Sequence, residues 1–344
     1  MVFSLKSTVG TFAGGGKLLG LYIMYERIIS LENLLTAWEE FLRGKRKRKD
    51  VAEFSENLSE NVYNLHLDLK NKTYKHGNYH AFNISDPKPR NIHKATVRDR
   101  LLHHAIYRIL YPCFDKKFIS DSYSCRLKKG THKAINKFRE YYQKVSKNNT
   151  KQCWILKCDI KKFFASIDHE TLMSTLGVNI EDKGTLWLLN QIISSFKTCF
   201  GKGLPLGNLT SQLLVNIYMN KFDQYIKHTL KVKYYIRYAD DFILLSSNKF
   251  TLLDNIRYIV CYLNDELKLT PHPDKVFIKT FSSGIDFLGW VHFPGYRVLR
   301  TVTKRRMLKN LAKNSSEEVR ASYEGMLRWG NTQKLKNILN GLPK

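Results

Sequence analysis

The run Tyr234-Tyr-Ile-Arg-Tyr-Ala-Asp-Asp-Phe-Ile-Leu-Leu245 holds two apolar segments, Tyr234 to Arg237 and Phe242 to Leu245. Each is rich in aromatic and β-branched residues, and the four residues between them, Tyr238, Ala239, Asp240 and Asp241, are few enough to close a hairpin. Two adjacent carboxylates at a hairpin tip repel one another. Such a pair either serves its own turn through Asx hydrogen bonds or holds a cation. A third carboxylate, Asp159, closes the short buried strand Trp154 to Ile160. Three hard oxygen ligands at strand ends suit Mg²⁺, which takes one or two carboxylates and completes its shell with substrate phosphate oxygens.

Outward from this hairpin the pattern alternates between the two periods. Helical segments are expected at Gly184 to Phe196 and Leu209 to Leu230 before it. A helix from Leu252 to Leu267, a strand near Val276 to Phe281, a pair of strands around Phe287 to Val298 and a basic helical tail from Thr303 follow it. Upstream, Ser30 caps a helix carrying Leu31, Leu34, Leu35, Trp38 and Phe41, which ends in the basic run Arg43 to Lys49. A second helix covers Val51 to Leu69, a strand Tyr79 to Ile84, and helices Val97 to Tyr111 and Ala134 to Val145. This order predicts an α+β layer with helices on one face of an antiparallel sheet.

Lys and Arg number 57 against 30 Asp and Glu in 344 residues, a formal charge of +27. Spread over the whole length, that excess points to a polyanionic partner. The 43% apolar content excludes a disordered basic tail protein. No apolar run reaches the roughly 20 residues a membrane helix needs, so no membrane association is expected. The six cysteines are far apart and read as reduced thiols. Residues 1–28 read as a flexible leader. Gly14 to Lys17 fails as a phosphate loop, because Thr11 stands where Gly is required and Leu18 where Ser or Thr is.

Asp159-Ile-Lys-Lys-Phe-Phe-Ala-Ser-Ile-Asp168, Leu204-Pro-Leu-Gly-Asn-Leu-Thr-Ser-Gln212 and Tyr238-Ala-Asp-Asp241 resemble, in order and spacing, motifs A, B and C of reverse transcriptases. Pro87-Lys-Pro-Arg90 with Val97-Arg-Asp-Arg100 is similar to the fingers motifs. Ser122-Tyr-Ser-Cys-Arg126 with Gly130-Thr-His132 resembles the segment before motif A in group II intron-type enzymes, Pro273-Asp-Lys275 motif D, and Phe287-Leu-Gly-Trp290 the primer grip. The resemblance implies a right-hand polymerase with an antiparallel palm sheet. Its parts would be fingers and N-terminal helices over 29–150, the palm over 151–299 and a helical thumb over 300–344.

It further implies that Asp159 and Asp240, with the Ile160 backbone, bind two Mg²⁺ ions, Mn²⁺ being the alternative, and that Asp241 supports them. Two such ions would activate a primer 3′-hydroxyl and stabilise departing pyrophosphate. Lys88, Arg90, Phe163, Phe164, Leu206, Gly207, Gln212 and Lys275 would line the deoxynucleotide site. Phe164 would exclude a ribose 2′-hydroxyl, whereas a core role stays open for Phe163. Tyr238, Ala239, Phe287, Leu288, Gly289 and Trp290 would hold primer and template.

Motif B departs from the common pattern: Leu206 replaces a glutamine and Gln212 a proline. The variant resembles the reverse transcriptases of diversity-generating retroelements, which copy a template RNA with errors opposite adenine; a neutral packing substitution is the alternative. An aliphatic Leu206 lacks the hydrogen bonds of an amide, which would loosen the check on the nascent pair. That likeness implies deoxynucleotide substrates, a template RNA, an RNA–DNA hybrid and a small basic oligomeric accessory protein as partners, and a cytoplasmic setting in bacteria, archaea or phage-infected cells. Group II intron-like, retron and defence-associated reverse transcriptases, an RNA-copying RNA polymerase and a non-catalytic RNA-binding derivative are the rival readings. Basic residues Lys304, Arg305, Arg306, Lys309, Lys313 and Arg328 are expected along the duplex, Trp329 within the thumb, and His103 and His104 in packing.

Overall fold

The computed structural model describes residues 24–85 and 89–341. Its helices before the sheet are α1 (Met24–Ile29), α2 (Leu31–Leu42), α3 (Lys49–Glu56) and α4 (Leu58–Lys70). A two-stranded ribbon, β1 (His80–Ile84) and β2 (Arg90–Lys94), precedes α5 (Val97–Asp115) and α6 (Thr131–Val145). Then come β3 (Trp154–Asp159), α7 (Phe163–Ser166), α8 (His169–Gly177), α9 (Lys183–Ser194), α10 (Leu209–Gln224), β4 (Tyr235–Tyr238), β5 (Asp241–Ser246) and α11 (Lys249–Asp265). The remainder is β6 (Phe277–Thr280), β7 (Ile285–Phe287), β8 (Trp290–Phe293), β9 (Tyr296–Leu299), α12 (Thr301–Lys313), α13 (Glu317–Leu327) and α14 (Gln333–Asn340).

These elements form two compact units. One comprises Met1–Phe82, Ile92–Phe114 and His169–Leu213, the other Asn83–Asn91, Asp115–Asp168 and Leu214–Lys344. In the first, α2 starts where expected because the Ser30 hydroxyl accepts from Asn33 N at 3.2 Å, satisfying a donor the helix itself leaves unpaired. Its apolar stripe, Leu34, Ala37, Trp38 and Phe41, is buried. Asp182 caps α9 through Gly184 N (2.9 Å) and Thr185 N (3.3 Å). Residues 24–28 are not leader: they are helical, with Ile28 fully buried, because α1 packs on α2, α4 and α9. The rest of the expected leader, including Gly14 to Lys17, lies outside the described residues.

The second unit is built on a four-stranded antiparallel sheet in the order β4-β5-β3-β6. Helices cover both of its faces, not one as the element order implied. Ala134, Phe138, Tyr142 and Val145 of α6 pack on Ile155, Ile236, Ile243 and Leu245. On the other face Phe222 of α10 meets the rings of Phe242 and Tyr235, at 5.1 and 6.3 Å between centroids, and Tyr262 of α11 meets Phe222 at 6.0 Å. Hence Ile155, Leu156, Lys157 and Cys158 are all buried in succession: a strand covered on both sides shows no alternation.

Two further details differ from the sequence expectation. The α-helical pattern ends at Gln224, and Tyr225–Thr229 forms one wider π turn in place of a continuous helix to Leu230. The expected pair of strands after Phe287 is three strands, β7-β8-β9, forming their own sheet. Trp290 and Leu299 of that sheet join Met307, Leu311, Leu327, Leu335 and Leu339 of α12, α13 and α14 in a second core.

Candidate active site

Strand register places the first two carboxylates. Asp159 is the last residue of β3 and Asp241 the first of β5, and they are direct partners in the antiparallel ladder. Side chains of such a pair leave the sheet on the same face, with Cβ atoms about 5 Å apart. Asp241 also faces Tyr238 across β4–β5, so the hairpin tip is two residues, Ala239 and Asp240, and Asp241 belongs to the strand. A four-residue tip was expected. The shorter turn forms because Ala239 takes a left-handed φ of 57°, which closes the chain in two residues.

That unfavourable conformation is held from below. Arg237, fully buried, donates from Nη1 to the Ala239 carbonyl at 3.2 Å. Its Nε and Nη2 grip the two oxygens of the equally buried Asp223 at 2.7 Å each, and Asn216 Oδ1 and Ser122 Oγ accept the remaining bonds at 3.3 and 3.1 Å. The guanidinium's planar fork suits this bidentate geometry, which a lysine could not reproduce. The segment containing Ser122 runs along the free edge of β4: Arg237 N donates to Asp121 O and Tyr123 N to Arg237 O, both at 3.0 Å.

Two lysines neutralise the carboxylates. Lys157, mid-strand in β3, lies with Nζ 3.2 Å from Asp241 Oδ2. Lys275 donates from Nζ to Asp159 Oδ1 at 3.0 Å. Burial still pushes the Asp241 carboxyl up to about 7 against the pull of Lys157, with Asp240 and Asp159 adding to the rise. Asp240 is likewise raised, first by burial and then by the charge of Asp159, while Lys275 and Arg90 draw it back. Three acids crowded this way favour a cation. The Oδ1 atom of Asp241 is buried without a hydrogen-bond partner.

Among the described residues no three His, Cys, Asp or Glu side chains stand close enough to enclose an ion by themselves. Mg²⁺ does not need such a cage, because it keeps water and substrate oxygens in its shell. The orphaned Asp241 oxygen and the mutual crowding fit a divalent ion that arrives with its substrate.

The other expected residues divide by burial. Phe163 is 3% exposed and belongs to the core, which corrects its assignment to the nucleotide site; Phe164, half-buried, meets it edge-on at 5.6 Å. Phe287 and Trp290 are also core residues, at 0% and 4% exposed, so they anchor the β7–β8 hairpin and cannot present their rings to a nucleic acid. The turn between them, Leu288 (φ 51°) and Gly289 (φ 88°), is what the hairpin offers. Tyr238 accepts from Thr131 Oγ1 at 3.1 Å. Ile160 bridges Pro271 and buries its side chain, so only main-chain atoms of this residue are left to act as ligands.

Arg90 begins β2, and Lys88 lies outside the described residues. Leu206, Gly207 and Gln212 belong to the first unit. There the Leu206 carbonyl accepts from His93 N at 3.0 Å. Gly207 has φ 107° and lies so close to Ile92 that a Cβ would come within 2.9 Å of it. Any side chain at Gly207 is therefore excluded twice over.

Sequence reasoning missed Lys157 and Arg237. Their signal was present, since a cation inside an otherwise apolar strand must find a partner when both faces are covered.

The family model described as reverse transcriptase (RNA-dependent DNA polymerase) matches residues 75–292, more than half of the chain. Protein YkfC of Escherichia coli is 25% identical over 285 residues, covering 71% of this chain and 72% of that protein. The group II intron-encoded protein LtrA of Lactococcus lactis is 26% identical over 147 residues, covering 40% of this chain but 23% of its own length. An apo telomerase structure from Candida tropicalis aligns with a TM-score of 0.49 and 14% identity, over 65% of this chain and 55% of that one. No helix among the described residues is long and apolar enough to cross a membrane. The chain belongs to the reverse transcriptase family, RNA-dependent DNA polymerases of the α+β right-hand fold class that use divalent metal ions.

Proposed function

We propose that this chain is the RNA-directed DNA polymerase of a diversity-generating retroelement, copying a template RNA into cDNA with errors concentrated at adenines. The observation that supports polymerisation is the pairing of Asp159 with Asp241 beside Asp240 at the hairpin tip. Asp159 and Asp240, with the Ile160 carbonyl, would hold two Mg²⁺ ions and Asp241 would support them. When bound there, such ions would supply Lewis acidity to the 3′-hydroxyl and the leaving phosphate.

The chain's own residues do the rest. Arg90 presents its guanidinium to the incoming triphosphate. Lys275 holds its ammonium beside Asp159, placed to give a proton to departing pyrophosphate. Phe164 stacks under the sugar and leaves no room for a 2′-hydroxyl. The Leu288–Gly289 turn and Tyr238 bear the primer terminus.

What supports the retroelement reading is Leu206 beside Gly207, together with Gln212. Leu206 offers no side-chain amide where the common pattern has one, so the nascent pair would be checked by shape with fewer hydrogen bonds. A small basic oligomeric accessory protein is the partner this reading carries. A group II intron-type enzyme is the second reading, favoured by the likeness to LtrA.

Extension of a DNA primer on an RNA template, followed by sequencing of the products, separates the two. The retroelement reading expects frequent misincorporation opposite adenine that Leu206→Gln lowers. Unchanged errors in that variant overturn the sub-family assignment and leave the polymerase standing.

A further inference from the structure

Lys157 occupies an expensive position. It sits in the middle of β3, 8% exposed, on the strand face that carries Ile155 and Asp159. A leucine or methionine there would satisfy Ile155, Ile243 and Phe287 with no charge to desolvate. Its ammonium makes two contacts that point in different directions. Nζ donates to the Asp286 carbonyl at 2.7 Å and lies 3.2 Å from Asp241 Oδ2. It also stands 6.0 Å above the centre of the Phe287 ring.

Asp286 is the middle residue of β7, directly before the turn. Its carboxylate pairs with Arg300, whose own backbone N donates to Gly289 O at 3.1 Å. One continuous polar path therefore runs from Asp241 through Lys157, Asp286 and Arg300 to Gly289. Among the described residues, the β7-β8-β9 sheet shares no ladder with the sheet that carries the carboxylates. Ladder hydrogen bonds therefore do not set the distance between Asp241 and the Leu288–Gly289 turn. Side chains set it: Ile285 and Phe287 share the apolar core of Ile155 and Ile243, and Lys157 adds the directional polar link to Asp241.

We propose that Lys157 is a positioning residue that holds the Leu288–Gly289 turn, and the primer end resting on it, at a fixed separation from the Asp241 carboxylate. The proposal rests on the reading of that turn as the primer grip. Misplacing a reacting group by about 1 Å costs on the order of a hundredfold in rate even where binding is unchanged. Lys157→Met keeps the apolar stem against Phe287 and removes both polar contacts. Lys157→Arg keeps a charged donor.

The test uses the full chain on an RNA–DNA hybrid with 2-aminopurine at the primer 3′ end. Lys157→Met should lower single-turnover incorporation about a hundredfold. Hybrid affinity and the deoxynucleotide KM should stay within about twofold, and the terminal 2-aminopurine should brighten as its stacking loosens. Lys157→Arg should restore most of the rate and the quenching. A methionine variant with wild-type rate and fluorescence overturns the proposal. So does one that loses hybrid affinity in step with rate, since that is a general folding defect. If Lys157→Met melts below assay temperature, Lys157→Gln replaces it under the same two criteria. A wild-type chain that extends no primer sinks the polymerase reading instead, and the fluorescence comparison then judges Lys157 alone.

Discussion

Asp159 and Asp241 face each other across one rung of the β3–β5 ladder, the last residue of one strand against the first of the next. Their proximity is a property of backbone register: a slip of one residue would send one carboxylate to the opposite face. The 81 positions of sequence between them are irrelevant to the spacing, which is why an acid at the hairpin and a remote acid stand side by side.

The acids should be separable from nucleic-acid binding. Asp240→Ala, and independently Asp159→Ala, should reduce incorporation on a primed RNA template by about a thousandfold or more, the loss of several kcal/mol of charge stabilisation. Affinity for the hybrid should persist, because a +27 chain would bind phosphates over a wide surface. Filter binding beside primer extension measures both, and undiminished extension by either variant removes the metal assignment.

Arg237 should be the most costly single truncation in the second unit. Arg237→Met leaves the Asp223 carboxylate buried and unpaired, a loss of about 3–5 kcal/mol, and frees the Ala239 carbonyl that shapes the hairpin tip. Chemical denaturation should show a lowered midpoint with little change in slope. A variant within about 0.5 kcal/mol of wild type would mean the network is relaxed by water.

Acid should weaken the fold through its buried histidines. Burial lowers His103 to about 3 and His292 to about 4, with the cations Lys157 and Arg297 adding at His292 and the neighbouring His76 at His103. Each stays neutral in the folded chain while the unfolded chain takes up a proton near the ordinary 6.5. The unfolded state then holds more protons, so stability present above about pH 6.5 is lost as pH falls toward 4, at up to ~1.4 kcal/mol per pH unit and histidine. The Asp241 carboxyl, raised to about 7, takes up its proton in the folded chain and opposes this descent. The test is therefore the difference between wild type and His103→Leu in thermal melts at pH 7.5, 6 and 5: the variant should lose less stability toward acid, and identical pH profiles contradict the burial argument.

Sugar discrimination should reside in Phe164 and not in Phe163. Phe164→Val should admit ribonucleotides with a gain of ~1–3 kcal/mol in relative kcat/KM, leaving deoxynucleotide incorporation largely intact. Phe163→Val removes a core ring and should lower stability with no change in that ratio. Equal sugar selectivity in both variants would place the steric gate elsewhere.

The hairpin, the strand ending in Asp159 and the Ser30 cap were legible because each is encoded locally, by alternation, turn residues or a single hydroxyl. The turn length was not, because a left-handed alanine has no sequence signature when its conformation is enforced by Arg237 beneath it. Nor was the fate of the aromatics. Phe163, Phe164, Phe287 and Trp290 are alike in sequence, yet Phe164 alone among them stays out of the buried core.

The amino-acid order by itself determined which chemical groups are available and in what succession: three carboxylates, a flexible glycine in motif B, and a cationic excess. Only the tertiary structure decided which carboxylate shares a rung with Asp159, that helices cover both faces of the sheet, and that Lys157 reaches Asp286, 129 residues away. The physical reason is that local periodicity sets which face a side chain leaves from, whereas its neighbour on that face comes from whichever distant segment the core brings there.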